Sequence, residues 1–203
     1  MLHKSRSLMN TTRSTQALML LFPLTVAAQS TPKVEVFGGY SYLRLAQQTN
    51  PPFDAANLNG WNASIKLNVT QGIGLVADFS GHYEQGCALC AQLRPGYQHT
   101  FLAGPEFKLL QRDRLTVNVR ALAGMMVGSS LFLPYNGLQF AYGGSNRFAA
   151  SLGGSVDYRI SDRLSYRIIQ PELLTTVTNA GGTLRAYPNV RISTGLVFRF
   201  GKL

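Results

Sequence analysis

Three polar residues with the composition of a catalytic triad, Ser80, His82 and Glu84, lie within five positions of one another. Such a set can perform nucleophilic catalysis when the histidine takes the serine proton and the acid orients the histidine. In a strand, however, positions i, i+2 and i+4 merely share one face, so the same pattern is typical of a polar strand face. The other histidine of this region, His99, has Tyr97 and Phe101 as its neighbours on the same parity, and these offer neither a serine nor an acid. We therefore expect no catalytic residue and no cofactor here.

The N-terminus has the pattern of a secretory signal. Basic residues precede the apolar run 17–28, which is about half of the ~20 residues that a membrane-spanning helix needs. Val26-Ala27-Ala28 has the small residues of a cleavage site. We expect residues 1–28 to be removed and residues 29–203 to form one domain.

The charge of the mature chain is positive. The signal contains Lys4, Arg6 and Arg13, so 16 of the 19 basic residues remain against nine acidic ones. These basic residues are scattered over the chain, whereas a nucleic-acid site needs a basic patch or stripe. Export and scattering argue against nucleic acid, and the phosphates of lipopolysaccharide are the expected anions.

Cys87 and Cys90 are the two cysteines, in the sequence Cys-Ala-Leu-Cys. A redox pair of this spacing needs a strand-to-helix context, which this segment lacks. A metal site would need more ligands, and only two histidines are near in sequence. For an exported chain we favour a small disulfide loop.

From Lys33 onward, apolar and polar residues alternate in eight runs, and no window has a helical period. Alternation of this kind predicts strands with one apolar and one polar face. In the seventh run the polar residues Gln170 and Glu172 change parity after Arg167, which predicts a one-residue bulge near Ile168 and Ile169. The runs are 33–45, 60–69, 73–84, 97–109, 115–127, 148–160, one beginning at 164, and 188–200.

Long and short connections alternate strictly between these runs. Three connections are tight turns of three or four residues, and the others have roughly ten to twenty residues rich in Pro, Gly, Asn and Ser. Transmembrane barrels have this asymmetry, and the runs have the length of strands that cross a bilayer at a tilt. The aromatic residues on the apolar parity form two groups, as expected at two membrane interfaces. They are Tyr40, Tyr42, Trp61, Tyr83 and Tyr97 near the long connections, and Phe107, Tyr158, Tyr166, Phe198 and Phe200 near the short turns.

Three segments resemble the small outer-membrane β-barrel domain family, which is related to the transmembrane barrel of outer membrane protein A. They are Val34–Tyr42, Gly74–Ser80 and Arg191–Phe200, and the resemblance covers residues 33–200. It implies an all-β fold: an eight-stranded antiparallel up-and-down transmembrane β-barrel with short periplasmic turns and four long outer loops. It also implies a location in the bacterial outer membrane and recognition of the last strand by the barrel-assembly machinery, through Leu196, Phe198 and Phe200.

The polar parity of these strands would then face the lumen, which side chains fill in an eight-stranded barrel. It contains charges of both signs in similar numbers, and buried charges are tolerated only when they are paired. We predict an interior ion-pair network that plugs the barrel, with no open pore. Its members are Glu35, Lys66, Asp78, Glu106, Lys108, Arg120, Asp157, Arg159, Arg167, Glu172, Arg191 and Arg199.

The third long connection contains more aromatic residues than a simple linker needs. Two apolar segments, 131–135 and 138–142, flank Asn136-Gly137, a strong hairpin signal. The hairpin either projects outward to contact a partner or surface glycan, or folds over and seals the barrel mouth. The candidate contact residues are Phe132, Tyr135, Phe140 and Tyr142.

The first interpretation is a monomeric, non-enzymatic outer-membrane barrel with a structural or surface-interaction role, in contact with outer-membrane lipid and lipopolysaccharide. Two alternatives stay open on sequence alone. Some small outer-membrane barrels are enzymes that modify lipid A with a His-Ser-acid set, which would use Ser80, His82 and Glu84. A soluble, lipocalin-like exported binder would instead bury its aromatic residues inside the barrel.

Overall fold

The computed structural model of the chain describes residues 31–45, 57–84, 97–129, 133–135, 138–140, 145–180 and 183–203. The predicted signal, residues 1–28, lies outside them. The described residues form strands and turns, and they include no helix long and apolar enough to cross a membrane. The strands are β1 (Val34–Arg44), β2 (Asn57–Asn68), β3 (Ile73–Glu84), β4 (Tyr97–Arg112), β5 (Leu115–Ser129), β6 (Leu133–Tyr135), β7 (Leu138–Phe140), β8 (Ser145–Arg159), β9 (Leu164–Ala180) and β10 (Thr183–Phe200).

Eight of these strands close into one antiparallel barrel, in the order β1-β2-β3-β4-β5-β8-β9-β10, and β10 pairs with β1. The predicted eight-stranded up-and-down fold is therefore confirmed. The register is staggered, because following paired residues once around the barrel leads from Phe198 to Pro188, ten residues away on the same strand. Such a stagger requires the strands to tilt against the barrel axis. The path passes Val36, Ile65, Ala77, Ala103, Ala123, Ala150 and Thr175.

The short turns lie where the sequence predicted them. Between β2 and β3, the hydroxyl oxygen of Thr70 accepts hydrogen bonds from the backbone N–H groups of Gly72 (3.2 Å) and Ile73 (3.0 Å). Between β4 and β5, Asp113 has a φ of 49°, a left-handed conformation that aspartate tolerates better than most residues. Turn chemistry in the sequence thus determines the end of the barrel that carries the short connections.

Two bulges keep the polar residues of β4 and β9 inside the barrel. On β9, Val156 pairs with Ile169 and Asp157 with Arg167, so Ile168 is the extra residue and both isoleucines face outward. This confirms the predicted bulge. On β4, Lys108 pairs with Asn118 and Leu110 with Val117, which leaves Leu109 as a second extra residue that the sequence analysis missed.

The sequence predicted four long outer loops. The fourth of them, between β9 and β10, is different in the structure. Strands β9 and β10 stay paired as far as Ala180 and Thr183, so the predicted loop is an extension of the last hairpin. The reason is that Thr, Val, Leu and Tyr dominate this segment, and these residues favour paired strands even among turn-forming neighbours. In the third connection, Leu133 pairs with Phe140 and Tyr135 with Leu138, as the Asn-Gly signal predicted.

The barrel exterior is apolar. Large hydrophobic side chains on all eight barrel strands are exposed, among them Leu152 at 60% and Leu75 at 54%. The predicted aromatic residues lie on this face, including Trp61 and Tyr83 towards the long connections and Tyr158 and Phe198 towards the short turns. An apolar exterior of this kind is a surface for lipid, and it is opposite to the arrangement of a soluble lipocalin-like binder.

The bulge on β9 predicts how the barrel tolerates single deletions. Deletion of Ile168 removes the extra residue and leaves Arg167, Gln170 and Glu172 facing the lumen, so the barrel is expected to fold. Deletion of Leu173, on the same strand, reverses the parity of one flank and turns lumen residues towards lipid, at a cost of about 2–4 kcal/mol per arginine or lysine near the bilayer centre.

The two deletions can be compared by electrophoretic mobility in dodecyl sulfate, boiled against unboiled, after refolding in lipid. The wild type and the Ile168 deletion are expected to shift on boiling, and the Leu173 deletion is not. Equal behaviour of the two deletions would contradict the bulge.

Candidate functional site: the lumen and the two ends of the barrel

The lumen contains most of the charged residues predicted to line it. Nine of them are at most 8% exposed: Glu35, Lys66, Asp78, Glu106, Arg120, Asp157, Arg167, Glu172 and Arg191. The remaining members, Lys108, Arg159 and Arg199, are half-buried towards the end with the short turns. Strand alternation explains the arrangement, because every second side chain of each strand points inward.

Arg191 lies at the centre of the network. Its Nη2 is 2.9 Å from Asp78 Oδ1 and its Nε is 2.7 Å from Glu172 Oε2. Its Nη1 donates hydrogen bonds to the hydroxyl oxygens of Ser80 (2.9 Å) and Thr100 (3.2 Å). The guanidinium group thus has a polar partner on each nitrogen, which is the condition under which a buried arginine is tolerated.

A second arginine shares the same two acids. Arg120 Nε is 2.9 Å from Glu172 Oε1, and Arg120 Nη2 is 3.5 Å from Asp78 Oδ2. Arg120 Nη1 also lies 4.0 Å from Glu106 Oε2. Asp78 and Glu172 therefore each bridge the same two arginines, one on β5 and the other on β10.

The network continues towards the end with the short turns. Lys66 Nζ is 2.8 Å from Glu106 Oε1 and 3.7 Å from Glu35 Oε1. Arg167 donates two hydrogen bonds to Asp157, from Nε at 2.7 Å and from Nη2 at 3.0 Å. The guanidinium of Arg167 also lies over the ring of Phe37, 4.6 Å from the ring centroid, which fits a cation–π contact.

Gln170 joins the two parts of the network. Its Oε1 accepts a hydrogen bond from Arg167 Nη1 at 2.5 Å, and its Nε2 donates to Glu172 Oε2 at 3.0 Å and to Asn62 Oδ1 at 3.2 Å. Asn62 Nδ2 in turn donates to Asp78 Oδ2 at 3.0 Å. The buried charges thus form one connected network.

Apolar side chains fill another part of the lumen, which the sequence analysis missed. The cluster consists of inward-facing residues of seven strands and lies mainly in the half with the long connections. These residues were missed because both faces of the strands are apolar there, so the alternation gives no sign of which side points inward. The members are Leu43, Leu58, Val76, Leu102, Leu122, Met126, Ala149 and Leu174.

Two residues of the triad-like set, Ser80 and His82, lie in this same interior. His82 Nε2 forms a 2.8 Å hydrogen bond with Ser41 Oγ, and Ser80 Oγ forms a 2.5 Å hydrogen bond with Thr100 Oγ1 in addition to its bond from Arg191. His82 and Ser80 are 0% and 2% exposed. The serine hydroxyl thus serves the ion-pair network. The side chain of Glu84 lies outside the described residues, and among those described no three His, Cys, Asp or Glu residues form a group that could hold a metal ion.

Solved structures of known proteins share this barrel. Neisserial surface protein A has 8% identity over 83% of this chain and 97% of its own, with a TM-score of 0.60. Ail, the attachment invasion locus protein of Yersinia pestis, has 13% identity over 83% of this chain and 99% of its own, with a TM-score of 0.55. The N-terminal β-barrel domain of OprF from Pseudomonas aeruginosa has 13% identity over 85% of this chain and 100% of its own, with a TM-score of 0.52.

The chain has the fold of the small eight-stranded outer-membrane barrels. Together with the apolar exterior, this fold places the protein in the bacterial outer membrane. No family model matches the sequence, and no curated protein matches it either.

The last strand of this outer-membrane barrel presents the predicted assembly signal to lipid. Leu196, Phe198 and Phe200 face outward and are 40–55% exposed, and Phe200 pairs with Val34 where the barrel closes. Gly201 follows with a positive φ of 66°, which glycine adopts without strain. Recognition of these three residues by the assembly machinery stays a prediction.

Several predicted residues of the outer end lie outside the described part of the chain. These are Cys87, Cys90, Phe132 and Tyr142, so the disulfide and half of the aromatic contact set stay predictions. Tyr135 and Phe140 belong to the β6–β7 hairpin, for which only the backbone is described.

The position of Arg191 predicts a large effect of its removal. Arg191→Met leaves Asp78 and Glu172 buried with one cation fewer, and breaking a buried pair in this way costs about 3–5 kcal/mol. The measurement is the free energy of unfolding in urea, with the barrel refolded in lipid vesicles.

Arg199→Met is the matched control, because Arg199 is half-buried at the end of the barrel. We expect it to lower the free energy of unfolding by much less than Arg191→Met. A second variant, Arg191→Met with Asp78→Asn, removes one of the stranded acids and is expected to recover part of the loss. Equal losses for Arg191→Met and Arg199→Met would contradict the central role of Arg191.

Proposed function

We propose that the protein is a monomeric, non-enzymatic barrel of the outer membrane, with a closed lumen and a structural or surface-interaction role at its outer end. The observation that carries this proposal is the content of the lumen. An eight-stranded barrel is just wide enough for its own side chains, and here the charged network and the apolar cluster occupy the interior. Such an interior favours stability over transport.

The absence of catalysis is part of the same proposal. The hydroxyl of Ser80 is engaged by Arg191 and Thr100, and His82 is engaged by Ser41. These groups are buried in the lumen, whereas an enzyme acting on lipid A would need its nucleophile and base at the membrane face. This geometry speaks against the lipid A-modifying alternative.

A closed lumen predicts the absence of ion conduction. In a planar lipid bilayer, the reconstituted barrel is expected to give no stepwise current above that of the lipid alone, because moving an ion past the network would break its pairs. An open porin reconstituted in the same lipid serves as the positive control. Reproducible, ion-selective current steps from the refolded barrel would contradict the closed lumen.

The surface-interaction role rests on the β6–β7 hairpin. It pairs as a separate two-stranded sheet, apart from the barrel sheet, and its sequence is rich in Leu, Phe and Tyr. Aromatic side chains at a protein surface are typical of sites that bind a partner. Ail, which has the same fold, is the attachment invasion locus protein of Yersinia pestis, and this is in line with a surface-interaction role.

The hairpin predicts a loss of adhesion when its aromatic residues are replaced. Cells displaying a variant with Phe132, Tyr135, Phe140 and Tyr142 changed to serine are expected to adhere several-fold less to neighbouring cells or to immobilised glycans. A variant with Thr178 and Thr183 changed to serine alters the outer end of the β9–β10 hairpin and is expected to adhere like the wild type. Unchanged adhesion of the aromatic variant, with a normal mobility shift on boiling, would contradict the adhesive role.

A further inference from the structure

Basic residues that are scattered along the sequence come together at the end of the barrel with the short turns. Three of them, Lys108, Arg159 and Arg199, are half-buried near the ends of their strands, and five more are exposed. The same turns contain two acidic residues, Asp113 and Asp162. Half of the 16 basic residues that follow the predicted signal thus lie at one end. The five exposed ones form a basic rim: Lys33, Arg112, Arg114, Arg163 and Lys202.

The lumen does not neutralise this rim. Its nine buried charges are four basic and five acidic side chains, so the lumen offsets at most one positive charge at the end. The buried acids pair with the buried cations, as in the contacts of Lys66 with Glu106 and of Arg191 with Asp78. Among the described residues, none of the five rim side chains forms an ion pair. The rim is therefore a positively charged surface that faces outside the protein.

Backbone pairing places the arginines of this end next to one another. The N–H of Arg159 donates to the carbonyl oxygen of Arg114 at 2.7 Å, and the N–H of Arg199 donates to that of Arg163 at 2.9 Å. Arg159 Nη2 also donates to the carbonyl oxygen of Asp113 at 2.9 Å, so its guanidinium lies at the β4–β5 turn. Like charges on neighbouring strands repel. An anion bound at the rim would relieve this repulsion.

The rim lies just beyond the aromatic belt of the same end. Leu115 pairs with Tyr158, so Arg114 is one residue beyond the level of that tyrosine. Arg163 is three residues from Tyr166 on β9, which is about 10 Å along a strand. Aromatic belts lie at the level of the lipid headgroups. Since each short turn joins two neighbouring strands of the barrel wall, its side chains border the lipid at that level.

We propose that the basic rim binds the phosphates of anionic phospholipids, of the phosphatidylglycerol type, in the inner leaflet of the outer membrane. The guanidinium and ammonium groups donate, and the phosphate oxygens accept, which gives charge-assisted hydrogen bonds. A membrane lipid fits better than a polymer of the periplasm because the rim follows the circumference of the barrel and continues into the aromatic belt. The inference goes beyond the proposed surface-interaction role, which concerns the opposite end.

Tryptophan fluorescence can report on the lipid at each end separately. Trp61 is the one tryptophan of the chain and lies towards the long connections, and Trp61→Phe with Tyr158→Trp moves the reporter to the belt beside the rim. Both full-length barrels are refolded in mixed bilayers of phosphatidylcholine and phosphatidylglycerol, in which one lipid at a time carries bromine on its acyl chains. Bromine quenches nearby tryptophan, so the two quenching curves give the relative binding of the two lipids. Both leaflets have the same composition, so the direction of insertion does not matter.

The reporter beside the rim is expected to favour phosphatidylglycerol by about fivefold, the factor that one basic side chain near an anionic lipid surface supplies. The preference is expected to disappear in about 0.5 M salt, which screens exposed charges, and in the variant with Arg112→Gln, Arg114→Gln and Arg163→Gln. The matched control, Arg44→Gln with Arg147→Gln and Arg185→Gln, removes the same charge from the outer end and is expected to keep the preference. Trp61 is expected to show a smaller preference.

Equal preference at the two reporters, or a preference that the rim variant keeps, would overturn the proposal. Co-sedimentation with purified peptidoglycan that the rim variant loses, without a lipid preference, would assign the rim to peptidoglycan and would also overturn it. The comparison of the reporters and of salt concentrations leaves the rim intact, so it tests the proposal even if the rim variant fails to fold. The mobility shift on boiling identifies such a failure.

Discussion

Two acids shared between two arginines hold the interior of this barrel together. Asp78 and Glu172 each contact both Arg120 and Arg191, at distances of 2.7–3.5 Å, and all four residues are nearly inaccessible. Charges in such a place have lost most of their hydration, so each depends on its partners for compensation. The four residues come from β3, β5, β9 and β10, and their contacts can form only when the sheet has closed.

The apolar exterior of the barrel complements its polar interior. Because the polar side chains point inward and pair with one another, the outward positions are free to be apolar, and lipid takes the place that a hydrophobic core has in a soluble protein. The apolar cluster around Leu43, Met126 and Leu174 fills the lumen where the charges end. The charged network and the apolar cluster thus share the lumen, and the proposed contact with a surface partner is at the outer end.

The two aromatic belts lie near the two ends of the lipid-facing surface. A belt of tyrosine and tryptophan is expected at any membrane interface, and most of its members here need no further explanation. Trp61 and His99 differ because they lie on either side of Gly81 in the register of β2, β3 and β4, and their rings close over this glycine.

Much of the fold followed from the sequence, because a strand in a barrel has a strict period of two. That period located the barrel strands to within a few residues, assigned nine buried charges to the lumen, and required the bulge at Ile168 because Gln170 and Glu172 had to point the same way as Arg167. Local chemistry likewise predicted the tight turns and the β6–β7 hairpin. The period gave no information where both faces are apolar, and so it missed the cluster of Leu122 and Met126 and the second bulge at Leu109.

What the sequence determined by itself was therefore which side of each strand is polar, since that depends only on residues next to one another in the chain. Which charges pair was decided by the tertiary structure, because Arg191 and Asp78 are 113 residues apart and meet only through the closure and stagger of the barrel. The same holds for the extension of β9 and β10 beyond the predicted strands, which depends on their pairing. It holds equally for the meeting of Trp61 and His99 over Gly81, because three different strands must stand in register before two rings can share the space above a glycine.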